Sequence, residues 1–186
     1  MKAIAQRTFF GTLAFSLFTA AALWATPVQA VPKEQEVAPN ARLEDADGNA
    51  LELKALKGKP VVIIYDDRTS APSSESFRKE LIKMLKSNAL GGEVQLLLVA
   101  NVSAYDFWPA RGTVEDVVRK ETKKQGTKIY LDWTGGLRSA MKLKNEVTSV
   151  VMVGKDGRVA FASEGVPQGK DQQRLVEMLR AQAGGK

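Results

Sequence analysis

The residues best placed to do chemistry lie in a short polar stretch that follows a strongly apolar one. The apolar run 60–65 reads PVVIIY, and Arg68, Ser70 and Ser73 come after it, at the start of a stretch with helical apolar spacing. A helix N-terminus presents free backbone N–H groups, so this stretch could bind a carboxylate or a phosphate, with Arg68 supplying positive charge. The simpler interpretation is that the serines are helix caps and turn residues.

Ser70 and Ser73 also have the spacing of a Cys-x-x-Cys redox motif, because Ala71 and Pro72 separate them. That motif works through a thiolate, whose formation the positive end of a helix favours. The sequence contains 0 cysteines and 0 histidines. A serine hydroxyl is too weak an acid to take the place of the thiol, and no histidine is present to deprotonate it. Thiol oxidoreductase and thiol peroxidase activities are therefore excluded, as are thiolate metal sites.

Three acids that end predicted strands are weak candidates for a metal site. Asp66 and Asp67 follow the apolar run, and Asp132 ends a second β-rich segment. Carboxylate oxygens are ligands for Mg²⁺ or Ca²⁺, so the three acids could serve a metal-dependent hydrolase. Adjacent residues of a strand point to opposite sides, which argues against a shared metal ion. We therefore interpret the three as ordinary solvated acids and expect no metal and no cofactor.

Aromatic residues are concentrated in two predicted loops on the same side of the sheet. Tyr105, Phe107 and Trp108 lie in one loop, and Trp133 lies in the other. Exposed aromatic side chains are frequent anchors in protein interfaces, so Tyr105, Trp108 and Trp133 are candidates for binding a partner. The alternative is that these rings cover the end of the sheet as an outlying part of the core.

The composition favours one globular domain without a nucleic-acid interface. The chain has 186 residues, of which 44% are hydrophobic, and a formal net charge of +6. A chain of this length can bury a single sizeable core. The basic residues are scattered among acidic ones, as in Arg119-Lys120-Glu121, whereas a nucleic-acid binder gathers them into a patch or stripe. We expect no nucleic-acid partner.

Residues 1–30 have the pattern of a secretory signal peptide. Lys2 and Arg7 precede an uncharged apolar segment, 9–24, and Val28-Gln29-Ala30 supplies the small residues that a signal peptidase recognises. An uncleaved anchor would need about twenty apolar residues. We therefore expect a cleaved signal peptide, a mature chain without a membrane span, and a periplasmic location.

The remaining sequence alternates between β-rich and helical segments. Residues 31–40 contain two prolines and are expected to form an extended lead-in. The predicted strands are 42–45, 50–53, 60–65, 93–102, 128–132, 147–153 and 159–162. The predicted helices are 73–90 with Ser74 as its cap, 113–125 with Thr113 as its cap and Val114, Val117 and Val118 facing inward, 137–143, and 171–183. This order predicts an α/β domain with a mixed central sheet and helices on both faces.

Three segments resemble the thioredoxin-like superfamily, in the version found in secreted thiol oxidoreductases and peroxiredoxins. Residues 57–65 are similar to the first core strand of that superfamily, and 150–159 to its antiparallel hairpin. Ser70-Ala71-Pro72-Ser73 falls where the superfamily places its Cys-x-x-Cys motif. The resemblance implies a three-layer thioredoxin-like domain over residues 41–183.

A narrower resemblance is to small periplasmic proteins of the YtfJ type, and it is carried by Arg68-Thr69-Ser70-Ala71 and by residues 147–159. It implies a thioredoxin-like fold without redox cysteines and without an established activity. The cis-proline of the superfamily, which abuts the active-site pair, would fall at Thr148. A cis bond before a residue other than proline costs about 2.5–4 kcal/mol, so we expect a trans bond there.

The leading hypothesis is non-catalytic binding at the position that a dithiol site would occupy. A periplasmic protein, an extended peptide or a small anion would dock there. The residues expected to bind it are Arg68, Ser70, Ser73, Thr148, Trp133, Tyr105 and Trp108. Two alternatives stay open: a divalent-metal-dependent hydrolase that uses Asp66, Asp67 and Asp132, and a structural component of a cell-envelope assembly.

Overall fold

The structure is a computed structural model that describes residues 31–184, so the predicted signal peptide, residues 1–30, lies outside the described residues. The strands are β1 (Arg42–Asp45), β2 (Ala50–Glu52), β3 (Val61–Asp66), β4 (Gln95–Asn101), β5 (Ile129–Asp132), β6 (Ser149–Val153) and β7 (Val159–Glu164). The helices are α1 (Ala71–Lys86), α2 (Ala110–Gln125), α3 (Gly136–Ala140) and α4 (Lys170–Ala183), with short 3-10 turns at Leu53–Leu56 and Ser103–Tyr105. No helix within residues 31–184 is long and apolar enough to cross a membrane.

The strands form one mixed sheet in the order β2-β1-β5-β4-β3-β6-β7. β3, β4 and β5 are parallel, and the other neighbouring pairs are antiparallel. The carboxyl ends of β3, β4 and β5 therefore share one edge of the sheet, and β6 begins at that edge because it is antiparallel to β3. Four connecting segments meet there, 67–70, 102–109, 133–135 and 145–148, and we call this region the loop edge.

The side chains of β3 alternate between two apolar layers. Val62 and Ile64 pack with residues of α1 and α4, among them Phe77 and Leu175. The odd-numbered residues of β3 point the other way and pack with α3 and the lead-in. α2 lies on the same side as α1, over Leu131 of β5. Each fully buried large apolar side chain contributes about 1.5–3 kcal/mol, so the two layers fix the register of β3. The expected α/β fold with helices on both faces is confirmed.

The start and end of α1 differ from the sequence prediction. α1 begins at Ala71 with Ser70 at the N-cap position, so the predicted cap, Ser74, lies inside the helix and is buried. Pro72 explains the earlier start, because proline lacks an N–H group and suits the first turn of a helix. α1 also ends at Lys86, short of the predicted end at residue 90.

The prediction for α2 is wrong at its cap and at one inward position. α2 begins at Ala110, so Thr113 lies within the first turn and is not the cap. Val118 is buried, whereas Val117 is 54% exposed. Residues four apart share a helical face, so Val114 and Val118 point toward the sheet while Val117 lies about 100° away from Val118 around the helix.

The β1–β2 turn is held by a buried carboxylate. Asp45 accepts hydrogen bonds from the backbone N–H groups of Asp47 and Asn49, from the Asn49 side chain, and from Lys128 Nζ at 2.9 Å. Burial alone would raise the pKa of Asp45, but the Lys128 ammonium and the other donors outweigh it and hold the pKa well below its ordinary value. An ionised group therefore fixes this turn.

We expect acid to weaken the fold in part through Asp45. Its pKa in the folded chain lies below the value of about 3.9 in the unfolded chain, so ionised Asp45 stabilises the fold above that pH, and the stabilisation is lost as the pH falls further. Asp45→Asn should lower the free energy of unfolding by about 1.5–3 kcal/mol at pH 7, and by much less near a pH of about 2. Urea unfolding at the two pH values measures the difference.

Asp47→Asn is the matched control for this experiment, because the Asp47 side chain is 70% exposed and pairs with Arg119 on the surface. Its effect on the free energy of unfolding should be small at both pH values. An Asp45→Asn deficit that is the same at both pH values would contradict the role assigned to the Asp45 charge.

Candidate functional site

The loop after β3 is closed by Asp67 together with Ser70, whose hydroxyl accepts the backbone N–H of Asp67 at 2.9 Å. One oxygen of the Asp67 carboxylate accepts the backbone N–H groups of Thr69 at 3.0 Å and Ser70 at 2.9 Å, and the other accepts the N–H of Glu146. The Asp67 carbonyl accepts the N–H of Ala71 at 3.0 Å. Ser70 occupies the N-cap position, but its side chain forms no capping hydrogen bond. The interpretation of the serines as caps is therefore wrong for Ser70, whereas its interpretation as a turn residue is confirmed by the bond from the Asp67 N–H to its hydroxyl.

The charge of Asp67 disfavours a bound anion at the start of α1. Burial alone would raise the pKa of Asp67, but the backbone N–H donors outweigh it and hold the pKa below its ordinary value, so the carboxylate stays ionised. Its negative charge lies at the positive end of α1, where a bound carboxylate or phosphate would have to lie. The small-anion interpretation of Arg68, Ser70 and Ser73 thus loses its main physical basis.

Beneath this loop the carboxylate of Asp66 is buried among four donors. The hydroxyls of Thr148 and Ser74 each donate to it at 2.6 Å, Arg78 Nη1 donates at 2.7 Å, and the Ser70 hydroxyl lies at 3.4 Å. The side chains of Asp66 and Arg78 are 8% and 13% exposed, so water barely reaches this ion pair. The cluster joins the end of β3, the first turns of α1 and the entry to β6.

Two of the predicted site residues, Ser73 and Thr148, are in contact through their hydroxyls. Their oxygens are 3.2 Å apart, and the Ser73 hydroxyl donates to the Ser70 carbonyl at 2.7 Å. Ser70 and Thr148 are buried, whereas Ser73 is exposed. Both hydroxyl hydrogens have acceptors, in the Ser70 carbonyl and the Asp66 carboxylate, so neither oxygen is prepared as a nucleophile. The peptide bond before Thr148 is trans, as predicted.

Asp132 is a structural carboxylate on the α3 side of the sheet. It is buried and accepts the Tyr65 hydroxyl at 3.0 Å and the N–H groups of Gly136 at 2.8 Å and Arg138 at 3.1 Å. Burial and the negative charge of Asp132 raise the pKa of Tyr65. The interpretation of the acids as solvated is therefore wrong for Asp66 and Asp132, each of which has its own internal donors. Across residues 31–184, no three acidic side chains converge where they could hold a metal ion.

The aromatic candidates divide into buried and exposed residues. Trp133 is 6% exposed and belongs to a core cluster, with the Arg111 guanidinium 4.3 Å from its ring centroid. The hypothesis that its ring binds a partner is corrected, because Trp133 directly follows β5 and covers the end of the sheet. Tyr105 is half-buried against the same cluster. Trp108 is 91% exposed and Phe107 is 59% exposed.

Arg68 and Trp108 are the predicted site residues that face solvent most openly. Arg68 is exposed and forms no ion pair with another residue of the described range 31–184. The Asn101 side-chain amide lies 3.4 Å from Asn145 Oδ1 and connects the end of β4 to the loop before β6. The loop edge therefore presents a free guanidinium and an exposed indole above buried carboxylates that already have hydrogen-bond donors.

Sequence reasoning missed Arg78, the cation that neutralises Asp66. One signal was present, because Ser74, Phe77, Arg78 and Leu81 have the spacing of a single helical face. Phe77 and Leu81 direct that face toward the sheet, and two polar residues on a buried face require an internal partner. The carboxylate at the end of the preceding strand supplies it.

We expect the loss of Arg78 to destabilise the fold strongly. Arg78→Met leaves the buried carboxylate of Asp66 without its cation, and breaking one side of a buried pair costs about 3–5 kcal/mol. Urea unfolding at pH 7 measures the loss. Lys79→Met is the matched control, because the adjacent Lys79 pairs with Glu75 on the surface and should cost less than about 1 kcal/mol. Equal losses in the two variants would contradict the importance given to the Asp66–Arg78 pair.

Comparisons with known proteins bear on the architecture. No protein-family model matches the chain, and no curated relative does. A candidate protein disulfide isomerase from Bacteroides thetaiotaomicron superposes with a TM-score of 0.60 at 16% identity, over 83% of this chain and 94% of that one. For the exposed lipoprotein thioredoxin of Streptococcus pneumoniae the TM-score is 0.58 at 14% identity, over 75% and 99% of the two chains.

A peroxiredoxin-like protein from Aquifex aeolicus also superposes, with a TM-score of 0.58 at 14% identity over 82% of this chain and 90% of that one. At identities this low the likeness shows the fold alone. The chain therefore has the thioredoxin-like fold, in a form that contains no cysteine.

Proposed function

We propose that this protein is a redox-inactive, YtfJ-type member of the thioredoxin-like superfamily that binds a partner protein or an extended peptide in the periplasm without catalysis. The observation that carries the proposal is the 91% exposure of Trp108 at the loop edge. A tryptophan offers about 150–250 Å² of surface to a partner, and its contacts dominate the interfaces that contain it. A large exposed indole is therefore the expected anchor of the interface.

The segment that carries Trp108 is held in place for binding. Phe107, beside it in sequence, is 59% exposed. At the base of the segment, Arg111 Nη1 contacts Asp106 at 2.9 Å and Nη2 contacts Glu44 at 2.8 Å. An interface segment that is already ordered loses less conformational entropy on binding. These ion pairs favour a preformed surface over one that has to fold around its partner.

The polar groups of the loop edge support binding more than catalysis. The hydroxyls of Ser73 and Thr148 donate inward, and the Asp66 carboxylate is neutralised by Arg78. Arg68 is left exposed at the same edge and would pair with an acidic group of the partner. A structural role in a cell-envelope assembly would use this same surface with a long-lived partner. No contact within residues 31–184 favours the third hypothesis, a metal-dependent hydrolase.

A photo-crosslinking amino acid at position 108 is expected to capture a partner in intact cells that have a periplasm. The same amino acid at position 117, an exposed apolar site on α2, is the matched control. The captured protein is identified by mass spectrometry, purified, and titrated against the variants. Trp108→Ala should weaken its binding about 30-fold, because truncation of an interface anchor costs about 2 kcal/mol, and Val117→Ala should leave it unchanged.

Equal capture from positions 108 and 117 would contradict this proposal, because it would indicate non-specific contact. An affinity that Trp108→Ala does not alter would move the interface elsewhere on the surface. Arg68→Ala should weaken binding a further fewfold, and more at low than at high salt, because the pair it would form is partly exposed.

The proposed location has a separate test. Cleavage after Ala30 would make Val31 the first residue, so protein recovered from the periplasm should have the mass of a chain that starts there. Ala30→Arg should block processing, because the peptidase needs a small residue directly before the cut, whereas Gln29→Arg one position earlier should be processed normally. Wild-type protein recovered at full length from the cytosol would contradict the periplasmic proposal.

A further inference from the structure

A second candidate binding site lies at the opposite end of β3 from the loop edge. A cavity of about 250 Å³ opens there on the α3 side of the sheet. Its floor consists of Val61 and Ile63 of β3 and Val153 of β6. On this side α3 is the one helix that the structure describes against the sheet, and chain segments of irregular structure cover the rest. The cavity lies between those segments.

The walls of the cavity are apolar. They come from the lead-in and from the 3-10 turn after β2, and consist of Val37, Ala38, Pro39, Leu53 and Leu56. Val37 is 67% exposed, which is unusual for a large apolar side chain beside a hollow. Covering apolar surface of this kind with an apolar group is favourable, because it removes the surface from contact with water.

Lysines stand around this apolar hollow. Lys54, Lys57 and Lys59 all contribute to its lining. Lys59 pairs with Glu93 at 2.8 Å, whereas Lys54 and Lys57 are exposed and have no ion pair within residues 31–184. A Cβ placed on Gly157 would lie 3.8 Å from two methylene carbons of Lys57, so the lysine stem runs over the β6–β7 turn at the cavity.

The acidic lining residue does not neutralise these lysines. Asp156 contributes to the cavity, and its carboxylate accepts the backbone N–H of Arg158 at 2.9 Å within its own turn. Nearby, Glu52 accepts the Asn40 side-chain amide. Two ammonium groups, those of Lys54 and Lys57, are therefore left to attract a negative group at the rim of an apolar cavity.

We propose that this cavity binds a single-chain amphipathic carboxylate, such as a medium-chain fatty acid of about eight to ten carbons. The alkyl chain lies over Val61 and Val153, and the carboxylate lies between the ammonium groups of Lys54 and Lys57. The volume is just below the range of about 300–1,000 Å³ that takes drug-sized ligands, which suits one short chain. The site shares no residue with the loop edge, so it stands independently of the proposed function.

Calorimetric titration of the purified protein with octanoate, octanol and octylammonium, each below its micelle-forming concentration, tests the proposal. Octanoate should bind, octanol should bind several-fold more weakly, and octylammonium should bind most weakly of the three. Decanoate should bind roughly fifteenfold more tightly than octanoate, because each of its two additional buried methylenes adds about fourfold in affinity. Amide NMR shifts on adding octanoate should fall in residues 37–40, 53–59 and 153–157.

The double variant Lys54→Glu/Lys57→Glu should weaken octanoate binding roughly tenfold or more, since two attractive charges become repulsive. Lys120→Glu/Lys123→Glu makes the same change of charge on the exposed face of α2 and should leave the affinity unaltered. Trp108→Ala should also leave it unaltered, which separates this site from the loop edge. All these side chains are exposed, so the variants should fold like the wild type.

Three results would overturn the proposal. The first is no heat and no shift of the cavity resonances with octanoate. The second is an octylammonium affinity equal to that of octanoate, which would show that the lysines select nothing. The third is octanoate binding that Lys54→Glu/Lys57→Glu leaves unchanged, or NMR shifts confined to the loop edge.

Discussion

The buried carboxylate of Asp66 is the constraint on which the loop edge depends. An ionised group shielded from water costs several kcal/mol unless a cation and hydrogen-bond donors compensate it. Those donors come from Ser74 and Arg78 of α1 and from Thr148 before β6, so one group fixes three elements at once. A shift of α1 along β3 would remove donors from the charge, and so would a retreat of the β6 entry. The placement of the first turns of α1 against the end of β3 follows from that requirement.

The same constraint explains why the site suits binding. In the oxidoreductases that this fold supports, the positive end of the first helix favours a thiolate. Here the ionised carboxylate of Asp67 lies at that end and accepts the N–H groups of Thr69 and Ser70, directly before α1. The hydroxyls of Ser73 and Thr148 also donate inward. With these carboxylates and hydroxyls already paired, the groups best placed for contact with another molecule are those that project outward, Arg68 and Trp108.

Much of the fold could be predicted from the sequence, because β3 is a continuous apolar run and each hairpin carries a turn signal such as Asp47-Gly48. The role of Asp67 in the loop before α1 could not, since one of its hydrogen bonds comes from Glu146, 79 residues away in the chain. Trp133 and Trp108 both lie in loops after strands, so sequence spacing alone does not tell which ring is buried and which is exposed. The cavity depends on contacts such as Val37 with Arg158, which have no local signal.

The two sides of the sheet are covered unevenly, and this explains where the cavity lies. Three helices lie on the α1 side, whereas α3 on the other side has 5 residues. The lead-in must therefore cover part of that side, and its backbone groups need hydrogen-bond partners. It finds them at the β6–β7 turn, where Ala38 donates to Gly157 at 2.9 Å. Because the lead-in follows those partners along the turn, it passes beside the apolar floor at Val61 and Val153 without filling it. Three helices therefore cover the side of the sheet that holds the Asp66–Arg78 pair, and the apolar hollow remains on the side that one short helix and the lead-in cover.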